Sequence, residues 1–374
     1  MAPTPSPSQD SPATAETAQP KRFSLLLPAL KLLLAFGLLY YVFSTKINAD
    51  SKKALRQVFV DSPLVLATAI GAFATQLFIG AQRLRILLNP TGVLLSYGTA
   101  IRLTWLGAFF DTFMITSVGG DAVKAIYLAR VTPRGKKLEA VSVLLLDRLM
   151  GLLGLLTLMV TMTLLHFKQL HADPDIQPVL KWLFIVPAML LVGTGMLLSN
   201  RIYMSAPMQF MLRKMPLGAT VDRAYGSLQK FRNRKRVLLK AWLLSVVVHL
   251  FGVICGYVLV HGMGESPFFG PFLVSWFVCN FIVSFAPASG VGIGQYVFDV
   301  VFLKIADVKN GLVLATAVQA TAILAKSPGL IAWIGSRERP PETMSAEITT
   351  QTDGTKASDG TKARDGTNAS EANA

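Results

Sequence analysis

Long apolar segments separated by short polar, cationic ones dominate this sequence. An α-helix rises about 1.5 Å per residue, so roughly 20 apolar residues cross the hydrocarbon core of a membrane. About six segments meet that length and are predicted to span the membrane: residues 23–43, 62–82, 141–165, 180–199, 241–260 and 311–335. The pattern therefore predicts an all-α, polytopic membrane protein.

Two further apolar segments are broken in the middle by residues that end helices. Residues 101–118 contain Arg102 and Asp111 and end at a Gly-Gly pair, and residues 268–303 are interrupted by the sequence APASGVGIG. Irregular backbone at membrane depth is tolerated only where protein or a water-filled cavity satisfies its polar groups. We therefore expect both segments to be re-entrant hairpins.

The distribution of Lys and Arg sets the expected topology. Residues 200–240 hold ten cations against one acid, and residues 83–140 hold eight against three. The loops expected outside hold fewer cations, with four, one and two at residues 44–61, 166–179 and 261–310. Because cationic loops remain in the cytoplasm, residues 101–118 should enter and leave on the same side. Both termini are then cytoplasmic, in a bacterial inner membrane.

Composition agrees with this class. The chain is 52% hydrophobic and 15% charged, with a mean hydropathy of +0.50. Its net charge of +15 lies between apolar segments, so anionic lipid is the expected partner and nucleic acid is not. The two cysteines and four histidines lack metal-ligand spacing, and we predict no metal and no cofactor. Residues 1–22 and 339–374 are predicted disordered tails around a membrane domain at 23–338.

The two broken segments suggest two related halves. Each is followed by a span with a cation three residues before a glycine: Arg148 before Gly151, and Lys326 before Gly329. Hairpins that enter from opposite faces would make this the inverted repeat of many transporters. The two cations lie about eight and fifteen residues into their predicted spans, so their depths do not match well. The repeat is a hypothesis at this point.

The first candidate site is the sequence SVGGDAVK. Gly119 and Gly120 predict a turn into a helix, with Asp121 as N-cap and Lys124 one turn further on. Exposed backbone amides and the positive end of a helix dipole favour an anionic group such as a lipid phosphate. An ordinary capped interfacial helix explains the same residues, and both interpretations stay open.

Asp147 and Arg148 lie inside an apolar span, where an unpaired charge costs roughly 2.5–3.5 kcal/mol. Adjacent helical residues point about 100° apart, so each of these needs a partner elsewhere. Arg148 suits a lipid headgroup because its planar guanidinium binds phosphate through two hydrogen bonds, and we include Asp147 in the predicted headgroup site. The alternative is a structural ion pair, for instance from Arg148 to Asp111 or Asp121.

Lys326 is a further cation inside an apolar span, and it either binds a headgroup or extends to the cytoplasmic surface. The second broken segment brings its backbone close to a ligand, or makes a tight contact between helices. The residues predicted to line a cavity at the two broken segments are Asp111, Pro287, Gly290, Gly292, Gly294 and Gln295.

The sequence contains no HExxH, P-loop or GxSxG motif and no paired carboxylates. We therefore assign no catalytic residue and expect a transport-type protein rather than an enzyme. Residues 200–240, which include RNRKR, predict a cytoplasmic amphipathic segment on anionic lipid, with a solvated linker as the alternative.

Four motifs resemble, in order and spacing, the transmembrane region of lysylphosphatidylglycerol synthases, a flippase-like membrane family that includes stand-alone proteins. They are SVGGDAVKAIYLAR, LLLDRLMGLLGL, LQKFRNRKRVLLKAWLLS and APASGVGIGQYVF, within about residues 25–335. Family members often have Arg at the position of Lys124, and Glu at the positions of Asp147 and Gln295. The change at Gln295 removes a charge, which weakens the case for a proton- or headgroup-linked role there.

The resemblance implies movement of a polar or modified phospholipid, or of a polyprenyl-type lipid, between leaflets. The soluble domain that makes the aminoacyl lipid in the fused synthases is absent from this sequence, so a separate lipid-modifying enzyme is an expected partner. Relatives linked to polyprenyl-phosphate sugar transfer or hopanoid synthesis widen the range of lipids.

Three functions follow from these observations. The first is a lipid translocase that binds phosphate with Lys124, Arg148 and Lys326. The second is a membrane enzyme or subunit for glycosyl or aminoacyl transfer, or for hopanoid-type lipid metabolism, with Asp121 or Asp147 as base. The third is a scaffold that uses residues 200–240. The sequence favours the first and carries no signal for the oligomeric state.

Overall fold

A computed structural model describes residues 49–113, 119–172, 174, 177–199, 201, 204–205, 210, 214, 225–286 and 292–337. These residues form helices and turns, and no strand occurs among them. The all-helical class predicted from the apolar pattern is confirmed. The predicted span at 23–43, most of the basic segment before residue 225, and both predicted tails lie outside the described residues.

The helices are numbered here in chain order. They are α1 (Ala49–Arg56), α2 (Pro63–Leu88), α3 (Tyr97–Phe113), α4 (Gly119–Val131), α5 (Lys137–Leu165), α6 (Phe167–His171), α7 (Gln177–Leu198), α8 (Lys235–Gly262), α9 (Phe269–Val283), α10 (Ile293–Ala306), α11 (Gly311–Lys326) and α12 (Pro328–Arg337). A π-helical turn at Gln57–Asp61 precedes α2, and short 3₁₀ turns follow α2 and precede α5.

Helices long and apolar enough to cross a membrane coincide with four of the predicted spans. They run over Pro63–Thr91, Lys137–Leu165, Lys235–Gly262 and Gly311–Ile334, with 24 to 29 residues each. Shorter apolar stretches lie at Leu180–Met196 and Phe269–Val283. The chain is thus a multi-pass membrane protein, and the count of six full spans stays a prediction.

Helix α2 is longer than its predicted span. The sequence placed the end of that span at residue 82, because cations commonly mark the border of a membrane helix. The helix instead continues to Leu88, and its last turns bury Leu84 and Leu87. Arg83 therefore lies within the helix and contacts neighbouring helices, whereas the sequence ended the span just before it.

The two broken segments form two pairs of short helices, α3 with α4 and α9 with α10. Each helix has 13 to 17 residues. At 1.5 Å per residue this gives about 20–25 Å, which is less than a hydrocarbon core of about 30 Å. The members of each pair pack against one another. The first pair extends from Tyr97 to Val131, well beyond the predicted 101–118, because the helix after the Gly-Gly pair is also part of it.

Contacts between helix ends tie each pair to a different part of the bundle. Arg85 Nε donates to the carbonyl of Leu95 (3.0 Å), which joins the end of α2 to the segment before α3. Gly270 at the start of α9 packs against His166 at the end of α5. Glu265, between α8 and α9, accepts hydrogen bonds from the backbone N–H groups of Lys309 (3.1 Å) and Asn310 (2.9 Å), which precede α11.

Two apolar clusters occupy the interior, and helix α5 contributes to both. Leu146 and Met150 belong to a cluster with the end of α2 and with Phe231. Leu155 and Met159 belong to a larger cluster with α8, α9 and α10. Where the two clusters meet, Arg148, Gly151 and Leu152 of α5 line a polar cavity.

Candidate functional site

A cavity of about 490 Å³ lies among α2, α3, α4, α5, α8, α9 and α11. Its wall carries four cations and two carboxylates: Arg83, Lys124, Arg148, Lys326, Asp111 and Asp121. Neutral polar side chains complete the polar part of the wall, at Thr104, His249, Asn280, Ser284 and Gln319. Such a density of charge is unusual in a bundle of apolar helices, where charges mark ligand pathways.

Asp121 is held between two cations at the start of α4. Its Oδ2 lies 2.8 Å from Arg148 Nη1, and its Oδ1 lies 3.7 Å from Lys124 Nζ. Asp121 is the third residue of α4, so it lies in the first turn rather than at the predicted N-cap. The ion pair from Arg148 to Asp121 is one of the structural alternatives that the sequence left open. The carboxylate of Asp121 thus lies between Arg148 and Lys124, in a place that would also suit a phosphate.

Two glycines allow α3 and α4 to approach closely at this point. A Cβ on Gly120 would overlap the carbonyl oxygen of Gly107 and lie 2.6 Å from the Cβ of Asp111. A Cβ on Gly107 would lie 2.9 Å from Lys124 Cε. This contact places Asp111, Asp121 and Lys124 on one wall. Gly119, the other member of the predicted pair, is buried, and it is not among the described residues of the cavity wall.

Arg83 connects three helices at the cavity wall. Its Nε lies 2.7 Å from Asp147 Oδ1 on α5, and its Nη1 donates to Ser245 Oγ on α8 at 2.9 Å. Asp147 is buried and lies behind this arginine, away from the described wall. The prediction that Asp147 and Arg148 need separate partners is confirmed. The sequence shows that Asp147 requires a cation. It does not show that this cation is Arg83, which lies 64 residues earlier in the chain.

His249 and Gly151 lie beside this ion pair. The Nε2–H of His249 donates to the carbonyl oxygen of Gly151 at 3.0 Å. A Cβ on Gly151 would come within 3.1 Å of Arg83 Nη1, so the glycine leaves room for the guanidinium. The glycine three residues after Arg148, which the sequence singled out, thus borders the arginine that the sequence missed.

Lys326 ends α11 on another side of the cavity. Its Nζ lies 5.8 Å from the centre of the Phe73 ring, and it interacts electrostatically with Asp111. Next to it, the indole N–H of Trp105 donates to the carbonyl of Ala325 at 3.1 Å, and Gly329 packs directly on the backbone of Trp105. These contacts fix the end of α11 against α3 and hold Lys326 at the wall.

The second broken segment contributes the end of α9 rather than its glycines. Asn280, Ser284 and their neighbours up to residue 286 line the cavity. Gly292 has φ of +82°, and its N–H donates to Gln295 Oε1 at 2.7 Å. Gln295 is only 4% exposed, and a Cβ on Gly294 would meet Val283 at 3.4 Å. These three residues support the start of α10 and do not belong to the described wall.

The structure therefore brings together six of the thirteen site residues predicted from the sequence, namely Asp111, Gly120, Asp121, Lys124, Arg148 and Lys326. It places Gly119, Asp147, Gly292, Gly294 and Gln295 beside that wall or behind it. Pro287 and Gly290 lie outside the described residues. Sequence reasoning missed Arg83, Thr104, Asn280 and Gln319, because the sequence does not show which face of an apolar helix meets a cavity.

Metal ligands do not cluster in the part of the chain that the structure describes, where no group of three His, Cys, Asp or Glu side chains is placed to hold an ion.

The chain matches the family described as Lysylphosphatidylglycerol synthase TM region over residues 29–325. It belongs to this family. The family is a membrane domain associated with lipid synthesis and flippase-like function. No curated protein matches the chain.

Proposed function

We propose that this protein is a lipid translocase that moves a lipid with an anionic phosphate between the two leaflets. The observation that carries this proposal is the charged cavity inside a bundle of apolar helices. With Asp147, which lies behind the wall and pairs with Arg83, the four cations face three carboxylates, so one positive charge remains and an added anion is favoured. Its volume of about 490 Å³ is in the range of small-molecule sites and suits a headgroup, with the acyl chains left among lipid-facing helices.

Arg148 and Lys124 are the proposed phosphate ligands. Without lipid they share the carboxylate of Asp121, so neither is left as an unpaired charge in the membrane. A phosphate that enters replaces the carboxylate as the partner of these cations, and the guanidinium can bind two of its oxygens. Arg83 is held in place on the cavity wall by Asp147 and Ser245, and the carboxylate of Asp147 balances its charge.

The two pairs of short helices support a path across the membrane. The pair α3–α4 starts beside the end of α2, where Arg85 bonds Leu95, and the pair α9–α10 starts beside the end of α5, where Gly270 meets His166. Since α2 and α5 end on opposite sides in the proposed topology, the pairs enter as re-entrant hairpins from opposite faces. The residues at their inner ends, including Asp121 and Ser284, line one cavity. This is the arrangement of inverted-repeat transporters.

The proposed location is a bacterial inner membrane with both termini in the cytoplasm. Lys230, with its Nζ 2.8 Å from Glu139 Oε2, joins the segment before α8 to the start of α5. The residues that follow Lys230 include exposed cations, at Arg232, Arg234, Lys235 and Arg236. Exposed cations at one end of a bundle favour the cytoplasmic side and its anionic lipids.

Translocation in proteoliposomes tests this proposal. Lipids with fluorescent acyl chains and different headgroups would be followed by quenching in the outer leaflet, for wild type and for Arg148→Ala. Loss of a hydrogen bond to a charged group is worth about 1.5–3 kcal/mol, so we expect the rate for anionic lipids to fall by about tenfold or more. Arg236→Ala, which removes an exposed arginine outside the cavity, should leave the rate unchanged. Equal rates in all three proteins would refute the proposal.

A membrane enzyme for transfer to a lipid is the second candidate, and one observation keeps it open. Asp121 lies on the cavity wall and is therefore placed to act as a base, whereas Asp147 is buried against Arg83. Purified protein incubated with a labelled glycosyl or aminoacyl donor and lipid would reveal this activity. If wild type turns over the donor and Asp121→Asn does not, the protein is an enzyme rather than a translocase.

A further inference from the structure

The charges of the cavity wall are divided between two parts of the fold. Both carboxylates of the wall, Asp111 and Asp121, lie on the pair α3–α4, together with Lys124. The other three cations of the wall lie on other helices, with Arg83 on α2, Arg148 on α5 and Lys326 at the end of α11. The pair α3–α4 thus presents two carboxylates and one cation to a wall that is otherwise cationic.

Contacts between charges hold the pair α3–α4 against this wall. The Oδ2 of Asp121 lies 2.8 Å from Nη1 of Arg148, which joins α4 to α5. Asp111 interacts electrostatically with Lys326 and with Arg148, which joins α3 to α11 and α5. A phosphate in the cavity binds the same cations as these carboxylates do. The contacts that hold the pair in place are therefore the ones with which an anion competes.

Packing divides the pair α3–α4 into a fixed base and an inner end. Leu103, Leu128 and Val131 belong to the apolar cluster that includes the end of α2, and the indole N–H of Trp105 donates to the carbonyl of Ala325 at 3.1 Å. The inner end consists of the described residues 107–113 and 119–124, and these belong to neither apolar cluster. Parts with few buried apolar contacts move at the lowest cost in free energy. The inner end can therefore move while the base stays in place.

Helix α12 packs on the inner end and is separated from α11 by a break. A Cβ on Gly329 would lie 2.6 Å from the Cβ of Phe109, and the rings of Phe110 and Trp333 meet edge to face with their centres 5.8 Å apart. Helix α12 begins at Pro328, which has no N–H to continue the hydrogen bonds of α11. A break at proline lets two helices change their angle. Helix α12 can thus follow the inner end while α11 keeps its contacts with α2 and α10.

We propose that the inner end of α3–α4, together with α12, is a lid that an anion opens. Without an anion, its carboxylates pair with Arg148 and Lys326 and hold the lid against the bundle. A phosphate takes these cations, and the lid moves away on its base and on the break before α12. This inference rests on the proposed function, since the lipid phosphate is the anion that displaces the lid. It adds that the empty cavity is kept closed by its own carboxylates.

Distances between pairs of spin labels, measured by pulsed EPR on the full chain in maltoside micelles, test the lid without requiring translocation. The exposed sites are Ala122→Cys on the inner end, Ile331→Cys on α12 and Gly98→Cys near the base, each combined with Leu165→Cys at the end of α5. Phosphatidylglycerol is the probe, and diacylglycerol with the same acyl chains but no phosphate is the control lipid. The native cysteines are buried, and labelled wild type measures their background.

With phosphatidylglycerol we expect the distances from position 165 to positions 122 and 331 to shift by about 3 Å or more, the length of one further charge-assisted contact. The distance to position 98 should stay constant, and diacylglycerol should shift none of the three. Asp121→Asn removes the ion pair with Arg148 and should give the shifted distances without lipid. Arg148→Gln repeats this test from the other side of the pair. Glu139→Gln, which removes an ion pair outside the cavity, should not shift them.

The inference is overturned if phosphatidylglycerol leaves the distances to positions 122 and 331 unchanged, or if diacylglycerol shifts them equally. Unshifted distances in the folded Asp121→Asn and Arg148→Gln proteins also overturn it, because the ion pair would then not hold the lid. The translocase is judged separately. Wild type that shifts these distances but moves no lipid in proteoliposomes would refute the translocase and keep the lid, whereas translocation without a shift would refute the lid alone.

Discussion

Asp147 and Arg148 are adjacent in sequence but take different parts in the structure. Asp147 is turned into the bundle, where it holds Arg83 at 2.7 Å, and Arg148 is turned to the cavity, where it holds Asp121 at 2.8 Å. The angle of about 100° between neighbouring helical residues is the reason for this division. One charge therefore lies inside the bundle, and the other lies on the cavity wall.

Removal of Asp147 should destabilise the protein. The change Asp147→Ala leaves the guanidinium of Arg83 without its carboxylate inside the bundle, and the loss of one member of a buried ion pair costs about 3–5 kcal/mol. Thermal unfolding in detergent should show a clearly lower Tm. Glu139→Ala is the control, because its partner Lys230 is exposed and such a pair contributes about 0–1 kcal/mol. An equal Tm for the two variants would contradict this account.

At the scale of single residues, the sequence predicted the need for partners but not all of the partners. An acid and an arginine inside an apolar run must be neutralised, and Asp121 was one of the two acids, with Asp111, that the sequence offered for Arg148. Arg83 was not predicted for Asp147, because two cations at the end of a span also suit the membrane border. Thr104 carried no signal, since threonine is common in apolar helices.

The pairs of short helices depend on glycines where backbones meet. Gly107 and Gly120 bring α3 and α4 into contact, and this contact sets the positions of Asp111, Asp121 and Lys124. A larger side chain at the crossing would separate the helices. The wall of the cavity is thus a consequence of backbone packing.

Gly120→Ala should disturb this wall. The added Cβ would overlap the carbonyl oxygen of Gly107, and overpacking of this kind costs about 1–3 kcal/mol. Both the Tm and the translocation rate should fall. Gly71→Ala on α2 is the control, because its Cβ would have no neighbour within 4 Å and alanine favours a helix by about 0.5–1 kcal/mol. A Gly120→Ala protein as stable and active as wild type would show that the close crossing is not required.

At the scale of elements, the apolar pattern predicted helices well and their limits less well. The breaks at the Gly-Gly pair and after α9 were recognised because glycine and proline interrupt helices. The extension of α2 to Leu88 was missed, because an inward-facing arginine within a helix resembles a cation at its end. The glycines of the second segment were expected at the cavity, yet Gly292 lies at the start of α10, where its positive φ favours glycine and its N–H donates to Gln295.

The proposed arrangement of the whole molecule has two hairpins that enter from opposite faces. The start of α3 and the segment between α8 and α9 then lie on different sides of the membrane. Gly98 and Ser266 are exposed at these two places, and the native Cys255 and Cys279 are buried. These positions suit a labelling experiment.

Single cysteines introduced by Gly98→Cys and Ser266→Cys should react with a membrane-impermeant maleimide from opposite sides. In spheroplasts we expect label at position 266 and little at 98, and in inside-out vesicles the reverse. The reason is the proposed placement of the cationic segments in the cytoplasm. Wild type measures the background from the buried cysteines. Label at both positions in the same preparation would rule out hairpins from opposite faces.

The central claim is that Arg148 and Lys124 exchange the carboxylate of Asp121 for a lipid phosphate. A cryo-EM structure of the full chain in nanodiscs that contain an anionic phospholipid tests it most directly. The account predicts a phosphate within about 3 Å of Arg148 or Lys124, with Asp121 displaced from at least one of them. A cavity empty of lipid, with Asp121 still bound to both cations and lipid only on the outer surface of the bundle, would contradict it.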